Sequence, residues 1–202
     1  MKKCKCVILI SSYDNCGKDT LADKLITVFK NEGYSTLKIS FAQPLYEKLS
    51  ELSGIPVPDL HKYKRQDVEI YIKNVNASAT VREHLISIAK NIRKSDPYYF
   101  LKKVVNVIKE NNPDIVIIPD MRYMLESKIG KYLDEYVVVK IFMHSELESC
   151  NKNGLRYELD KIDYDIEITL PYGLEKLDKY INTYLKDILL EACTKKHTYR
   201  DN

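Results

Sequence analysis

Lys18 is the residue with the most chemistry to offer. It closes the run Ser11-Ser12-Tyr13-Asp14-Asn15-Cys16-Gly17-Lys18-Asp19-Thr20, which follows an apolar segment (7–10) and leads into a stretch of helical spacing (21–26). Strand, glycine-lysine turn and helix together make a phosphate-binding loop: free N–H groups and the positive end of the helix dipole face a polyphosphate, and the lysine reaches its outer phosphates. The usual spacing has glycine where Ser12 stands and Ser or Thr where Asp19 stands, with Thr20 one place later. Ser12 is small enough to let the backbone come close. Asp19 can hold a divalent cation, and a carboxylate suits the first turn of a helix. Asp14 is the awkward residue, because a carboxylate in an anion cradle repels its ligand unless it points away. Without a ligand, the same stretch reads as a strand-turn-helix corner with Gly17 as its turn residue.

A second group supports the first. The apolar run 115–118 reads as a central parallel strand covered on both faces, and it ends in Pro119-Asp120-Met121-Arg122. In open parallel sheets ligands bind beyond the carboxyl ends of the strands. There Asp120 can hold Mg²⁺ between the β- and γ-phosphates, and Arg122 can fork onto a phosphate. Taken singly, Asp120 is a helix cap and Arg122 a surface ion pair; with Lys18 they make a site. Arg82, early in a helix after a long loop, is either a second phosphate contact or a solvated charge. Arg156 lies in the long polar loop between the late strands, where a residue closing over phosphate belongs, or is an ordinary loop charge.

These residues need an alternating α/β chain to position them. Strands are expected at 35–40, 137–142 and 164–168, the last at an edge, with helices at 44–52, 79–93, 98–109, 125–133 and 174–190. Residues 55–59 contain two prolines and read as a loop. Residues 60–76 read as a solvated excursion, and 193–202 as a loose tail. The expected architecture is a three-layer α/β fold, a parallel sheet with helices on both faces. It forms one domain over 1–193, with an acceptor-binding insert at about 43–95, a lid at about 144–163, and a tail at 194–202.

Composition sets the outer limits. The chain has 202 residues, 45% of them hydrophobic, and 32 basic against 29 acidic residues, a net charge of +3. No nucleic-acid tail, membrane-surface helix or spanning segment is expected, since no apolar run approaches the roughly 20 residues a bilayer requires. Five irregularly spaced cysteines argue against a disulfide framework and for a reducing, cytoplasmic setting. Cys16, beside the loop, is a passive residue or a reactive thiol.

The chain resembles the P-loop group that contains the deoxynucleoside monophosphate kinases and the animal-type phosphomevalonate kinases. The matching pieces run in order over nearly the whole length. They are Gly17-Lys18-Asp19-Thr20-Leu21-Ala22-Asp23, Phe41-Ala42-Gln43-Pro44-Leu45, Val81-Arg82, Asp96-Pro97-Tyr98-Tyr99-Phe100, Pro119-Asp120-Met121-Arg122, and Asp165-Ile166-Glu167-Ile168 with Gly173-Leu174-Glu175-Lys176-Leu177. Gly-Lys-Asp in place of Gly-Lys-Ser/Thr is the most specific of them. The chain departs from the group at Tyr13-Asp14-Asn15, where small or basic residues are usual, at Tyr46 in place of lysine, and at Leu170-Pro171-Tyr172-Gly173.

The resemblance implies a kinase moving the γ-phosphoryl of ATP, with Mg²⁺, onto a small phosphorylated acceptor. It places ATP on Ser12, Tyr13, Asn15, Cys16, Gly17, Lys18, Asp19 and Thr20. The metal falls to Asp19, Thr20 and Asp120, and the acceptor to Phe41, Arg82 and Arg122. The catalytic set is Lys18, Asp120 and Arg122, with Arg156 in the lid. The segment 55–80 favours a deoxynucleoside monophosphate as acceptor, and Asp96–Phe100 favours phosphomevalonate. A retired kinase that binds a nucleotide or a protein without turnover is the reading from another class. No nucleic-acid polymer or membrane is expected as partner, and a homodimer is left open.

Overall fold

The computed structural model of the chain describes residues 5–73, 76–146, 158–171 and 173–198, without the side chains of 195–198. Its contacts group into two units: residues 1–40 with 104–202, and residues 41–103.

The first unit is built on five parallel strands. They are β1 (Cys6–Ser11), β2 (Thr36–Lys38), β5 (Ile115–Ile118), β6 (Val137–Ser145) and β7 (Ile166–Leu170), in the order β2-β5-β1-β6-β7. Every residue of β1 and β5 is buried, as central parallel strands require. The strand at 164–168 sits at the edge, as its alternation predicts, but begins two residues later. Helix α1 (Lys18–Asn31) packs Leu21, Ala22, Leu25 and Phe29 against Ile8, Ile10, Ile115 and Ile117. The result is a parallel sheet with helices around it, the expected fold class.

The C-terminal helix covers the same face of the sheet, and it does so with a defect. Helix α7 (Leu174–Tyr180) passes through a wide π turn, Ile181–Leu185, into α8 (Lys186–Thr198). Its buried residues Leu177, Ile181, Leu185, Leu189 and Cys193 recur every fourth position. Each such step overshoots a regular helical turn by about 40°, and the wider turn lets the apolar row stay on the sheet. The tail expected from residue 193 is therefore corrected to helix as far as Thr198. The helix expected at 125–133 is a single turn, α6 (Met124–Ser127), followed by a 3₁₀ turn, Ile129–Tyr132.

Although the cysteine pattern argues against a disulfide framework, Cys6 at the start of β1 and Cys193 in α8 are joined. Both are buried at the foot of the core.

The second unit differs most from expectation. Helix α2 (Gln43–Ser53) starts with Pro44 in its first turn and stops at Gly54, whose φ of 73° a side chain would strain. The prolines at 56 and 58 do not make a loop. Pro56 caps α3 (Val57–Arg65) and Pro58 lies in its first turn, where a missing N–H removes no helical bond. The polar stretch after it folds into a hairpin, β3 (Glu69–Ile72) against β4 (Ala77–Thr80). Ile70 and Ile72 turn inward, and the exposed Glu69 and Tyr71 alternate with them. Thr80 ends the hairpin and begins α4 (Val81–Ser95) through a reciprocal cap with Glu83. The buried His84 places Nε2 3.1 Å from the Ile70 carbonyl, linking helix to hairpin. Helix α5 (Tyr99–Asn111) then leads back to the sheet.

The disulfide closes 187 residues of sequence, for which the chain-entropy account gives roughly 5 kcal/mol. Non-reducing peptide mapping is expected to recover the fragments carrying Cys6 and Cys193 as one species, and dithiothreitol is expected to lower the melting temperature. Separate fragments with an unchanged melting temperature would show that the pair is not bonded in solution.

Candidate functional site

Parallel strands send their carboxyl ends to one edge, and the charged residues of the first unit collect there. After β1 the chain turns through Ser12–Gly17, and Gly17 adopts φ 86°, a conformation glycine reaches at no steric cost, just before α1. Asn15 shares the left-handed region at φ 59°, which asparagine tolerates better than most side chains. The turn is anchored from both sides. The Ser11 hydroxyl donates to the Met121 carbonyl at 2.7 Å, and the Tyr13 ring meets Phe142 of β6 edge-on at 5.8 Å. Cys16 is fully buried in the core beneath the turn.

Lys18 curls back over this turn. Its ammonium donates to the Ser12 carbonyl at 3.2 Å and to the Tyr13 carbonyl at 2.5 Å. Burial, with the Arg122 guanidinium next in effect, brings its pKa down to about 8, against opposing pulls from Asp14, Asp19 and Asp120. Asp120 and Arg122 therefore each lie within electrostatic reach of Lys18. The Ser12 hydroxyl oxygen is buried and has no hydrogen-bond partner among the described residues, an unusual condition for such a group. It lies in the turn between β1 and α1.

Asp120 follows β5 and accepts a 2.5 Å hydrogen bond from the Ser40 hydroxyl, two residues beyond β2. Arg122 is fixed at its backbone by a buried carboxylate: Glu126 accepts from the Arg122 N–H at 2.7 Å and the Tyr123 N–H at 3.1 Å. Glu158 braces the same turn, taking the Met124 N–H at 2.9 Å and giving its own N–H to the Arg122 carbonyl at 3.0 Å. The Arg122 side chain reaches Asp14 at 3.1 Å. On the other flank Lys38 of β2 sits between Asp19 at 3.1 Å and Asp23 at 2.8 Å. Burial and hydrogen bonds to Asp23 and Asp19 act on Lys38 in opposite directions, and the carboxylates prevail, raising its pKa. Thr20 is exposed on the first turn of α1.

The structure thus brings together Ser12, Lys18, Asp19, Asp120 and Arg122. Arg82 and Phe41 belong to the second unit, Arg82 in the first turn of α4 and Phe41 buried before α2. Arg156 lies outside the described residues. Four residues of the site were not singled out from sequence: Ser40, Lys38, Glu126 and Glu158. Ser40 had a usable signal, since it ends the strand expected at 35–40. The other three act through contacts across long sequence gaps or through backbone groups, which residue type does not announce.

A parallel sheet with a glycine-lysine turn ahead of its first helix, and an aspartate at the end of the neighbouring strand, defines a P-loop kinase type of architecture. The phosphomevalonate kinase family model matches residues 10–134, more than half of the 202 residues. The chain belongs to the phosphomevalonate kinase family. Among solved structures it is similar to a mutant of the APS kinase CysC of Mycobacterium tuberculosis, at 12% identity over 91% of this chain and 99% of that one, with a TM-score of 0.47. That kinase in complex with AMPPNP and APS shows 10% identity over 91% and 98%, TM-score 0.43. A plasmid partition protein from Borrelia burgdorferi shows 17% identity over 96% and 100%, TM-score 0.39. Likenesses this distant carry no argument about function. No curated protein matches significantly.

The state of Lys18 gives a pH signature. With a pKa of about 8, its positive charge is present below that pH and is lost above it. An anion bound at the turn favours the charged form, so binding takes up a proton near pH 8. Pyrophosphate affinity is expected to fall up to about tenfold per pH unit above pH 8, and calorimetry in buffers of different ionisation enthalpy is expected to report the uptake. In Lys18→Met this pH dependence disappears; its persistence there would place the titrating group elsewhere.

Proposed function

We propose that the protein transfers the γ-phosphoryl of ATP to the phosphate of a small phosphomonoester. The observation that carries this reading is the placement of Lys18, Asp120 and Arg122 just beyond the carboxyl ends of the neighbouring parallel strands β1 and β5, in a chain of the phosphomevalonate kinase family. A phosphomonoester has its second pKa near 6, so at neutral pH it is already a nucleophile. The protein then has to align two anions and neutralise the charge between them, and a dedicated base is unnecessary.

Each residue takes a part that its position supports. Lys18 leaves the Ser12 and Tyr13 carbonyls and moves its ammonium to the transferring phosphoryl. The amides of residues 12–20 hold the chain of phosphates, and the buried Ser12 hydroxyl, which has no partner among the described residues, gains one in the nucleotide. Asp120, oriented by Ser40, with Asp19 and Thr20 would hold Mg²⁺, because all three offer the hard oxygen donors it takes. When bound, Mg²⁺ neutralises charge on the phosphate oxygens. Arg122 grips a phosphate with a fork geometry lysine lacks. Arg82 and Phe41 are assigned to the acceptor, and Arg156 to closure over the transferring group.

Phosphomevalonate is the acceptor the family membership favours. A deoxynucleoside monophosphate stays as the second reading, because the segment at 55–80 is a built helix and hairpin, enough structure to shape a larger acceptor pocket. Mg²⁺–ATP with each acceptor in turn, read by ADP release, separates the two.

Release with phosphomevalonate and none with nucleoside monophosphates is the expected result, and the converse selects the second reading. ATP binding without release from any acceptor would identify a non-catalytic nucleotide-binding module. Lys18→Met is expected to cut turnover at least a hundredfold while the melting temperature stays within a few degrees; undiminished turnover would remove Lys18 from the reaction.

A further inference from the structure

The phosphate-facing turn carries a carboxylate where one should be harmful, and the structure shows what it does. Asp14 Oδ1 stands 3.1 Å from Nη2 of Arg122, and the two side chains keep only 18% and 26% of their surface exposed. A charge-assisted bond in this partly dry setting is stronger than one between solvated side chains. Arg122 cannot drift away from it, because Glu126 and Glu158 pin the main chain of the same turn. The Lys18 ammonium is the third member of the group: Asp14 favours its charge and Arg122 opposes it.

The arrangement is that of a phosphate site whose anion is supplied by the protein. An arginine grips a phosphate by presenting two N–H groups side by side, and Asp14 already takes one edge of that fork. A phosphate arriving at Arg122 must either displace the carboxylate or lie against it, where like charges repel. We propose that Asp14 is an internal competitor for Arg122: it occupies the guanidinium in the resting protein and is displaced by the phosphate group that binds there, so that it sets the affinity of the site. This rests on the assignment of the turn and of Arg122 to phosphates. The displacing group is a terminal phosphate, from the nucleotide or from the phosphomonoester acceptor.

The test uses the full-length protein and its Asp14→Asn variant, which keeps the shape and loses the charge, with Asp14→Ser as a second neutral form. Calorimetry at neutral pH and low salt is run with pyrophosphate, for the nucleotide side, and with phosphomevalonate, for the acceptor side. Both variants are expected to bind at least one of these ligands fivefold or more tightly than the wild type, and the ligand that gains names the displacing phosphate. In an Arg122→Gln background, where the Arg122 guanidinium is gone, Asp14→Asn is expected to change affinity less than twofold.

Wild-type binding that both neutral variants leave unchanged or weaken would overturn the proposal alone. An equal gain in the Arg122→Gln background would also overturn it, since Asp14 would then act by plain repulsion. Silence from wild type and variants toward both ligands and ATP would overturn the proposed function along with it.

Discussion

One geometric constraint governs the first unit: all five strands run the same way. Parallel pairing requires each strand to be re-entered from the far end, so every strand is followed by a turn at one edge. The turn after β1 carries Lys18, the turn after β2 carries Ser40, and the turn after β5 carries Asp120 and Arg122. Residues more than 100 positions apart thereby come within hydrogen-bond reach, as Ser11 does with Met121 and Asp14 with Arg122. The apolar sheet and the polar edge have one cause. β1 and β5 are buried throughout because helices cover the sheet, and that cover leaves their carboxyl ends as the place where charges can gather.

Charge at that edge is balanced in pairs. Lys38 lies between two carboxylates of α1, Arg122 against Asp14, and Lys18 against the backbone carbonyls of the turn. Of the two lysines, Lys18 is the one whose charge burial disfavours on balance. A lysine held near its own pKa by burial is more responsive to an arriving anion than one kept fully charged by a carboxylate. Lys38 is the comparison: its carboxylate partners outweigh its burial, its charge is secure, and it suits a structural tie between β2 and α1.

Legibility in the sequence followed the physics of each element. The strands 7–10 and 115–118 were plain because a strand covered on both faces must be apolar at every position. The glycine-lysine turn was plain because it combines a residue type and a spacing that few other structures require. In the second unit the signals were present but ambiguous. Two prolines two residues apart read as a break, yet proline is also a good first-turn residue, and α3 uses it that way. The hairpin was hidden because Lys62, Lys64, Arg65 and Asp67 colour the whole stretch polar, while its inward pair is only Ile70 and Ile72. The helix after Gly173 was expected to stop near 190; its apolar row continues one step further, to Cys193, a residue read as the start of a polar tail and not as core.

Arg122 shows best how a site can be fixed and adjustable in the same residue. Its main chain is held by Glu126, a carboxylate buried to 5% exposure, and by the Glu158 N–H, which donates to its carbonyl, while the Glu158 carboxylate takes the Met124 N–H of the same turn. Burying a carboxylate is costly unless it is well hydrogen-bonded, and Glu126 meets that condition by taking two backbone N–H groups of the turn that positions the guanidinium. The side chain, by contrast, rests on Asp14, a partly exposed carboxylate of the turn after β1. Backbone and side chain are therefore governed by different anions. The first decides where the guanidinium can reach, and the second decides what it holds there.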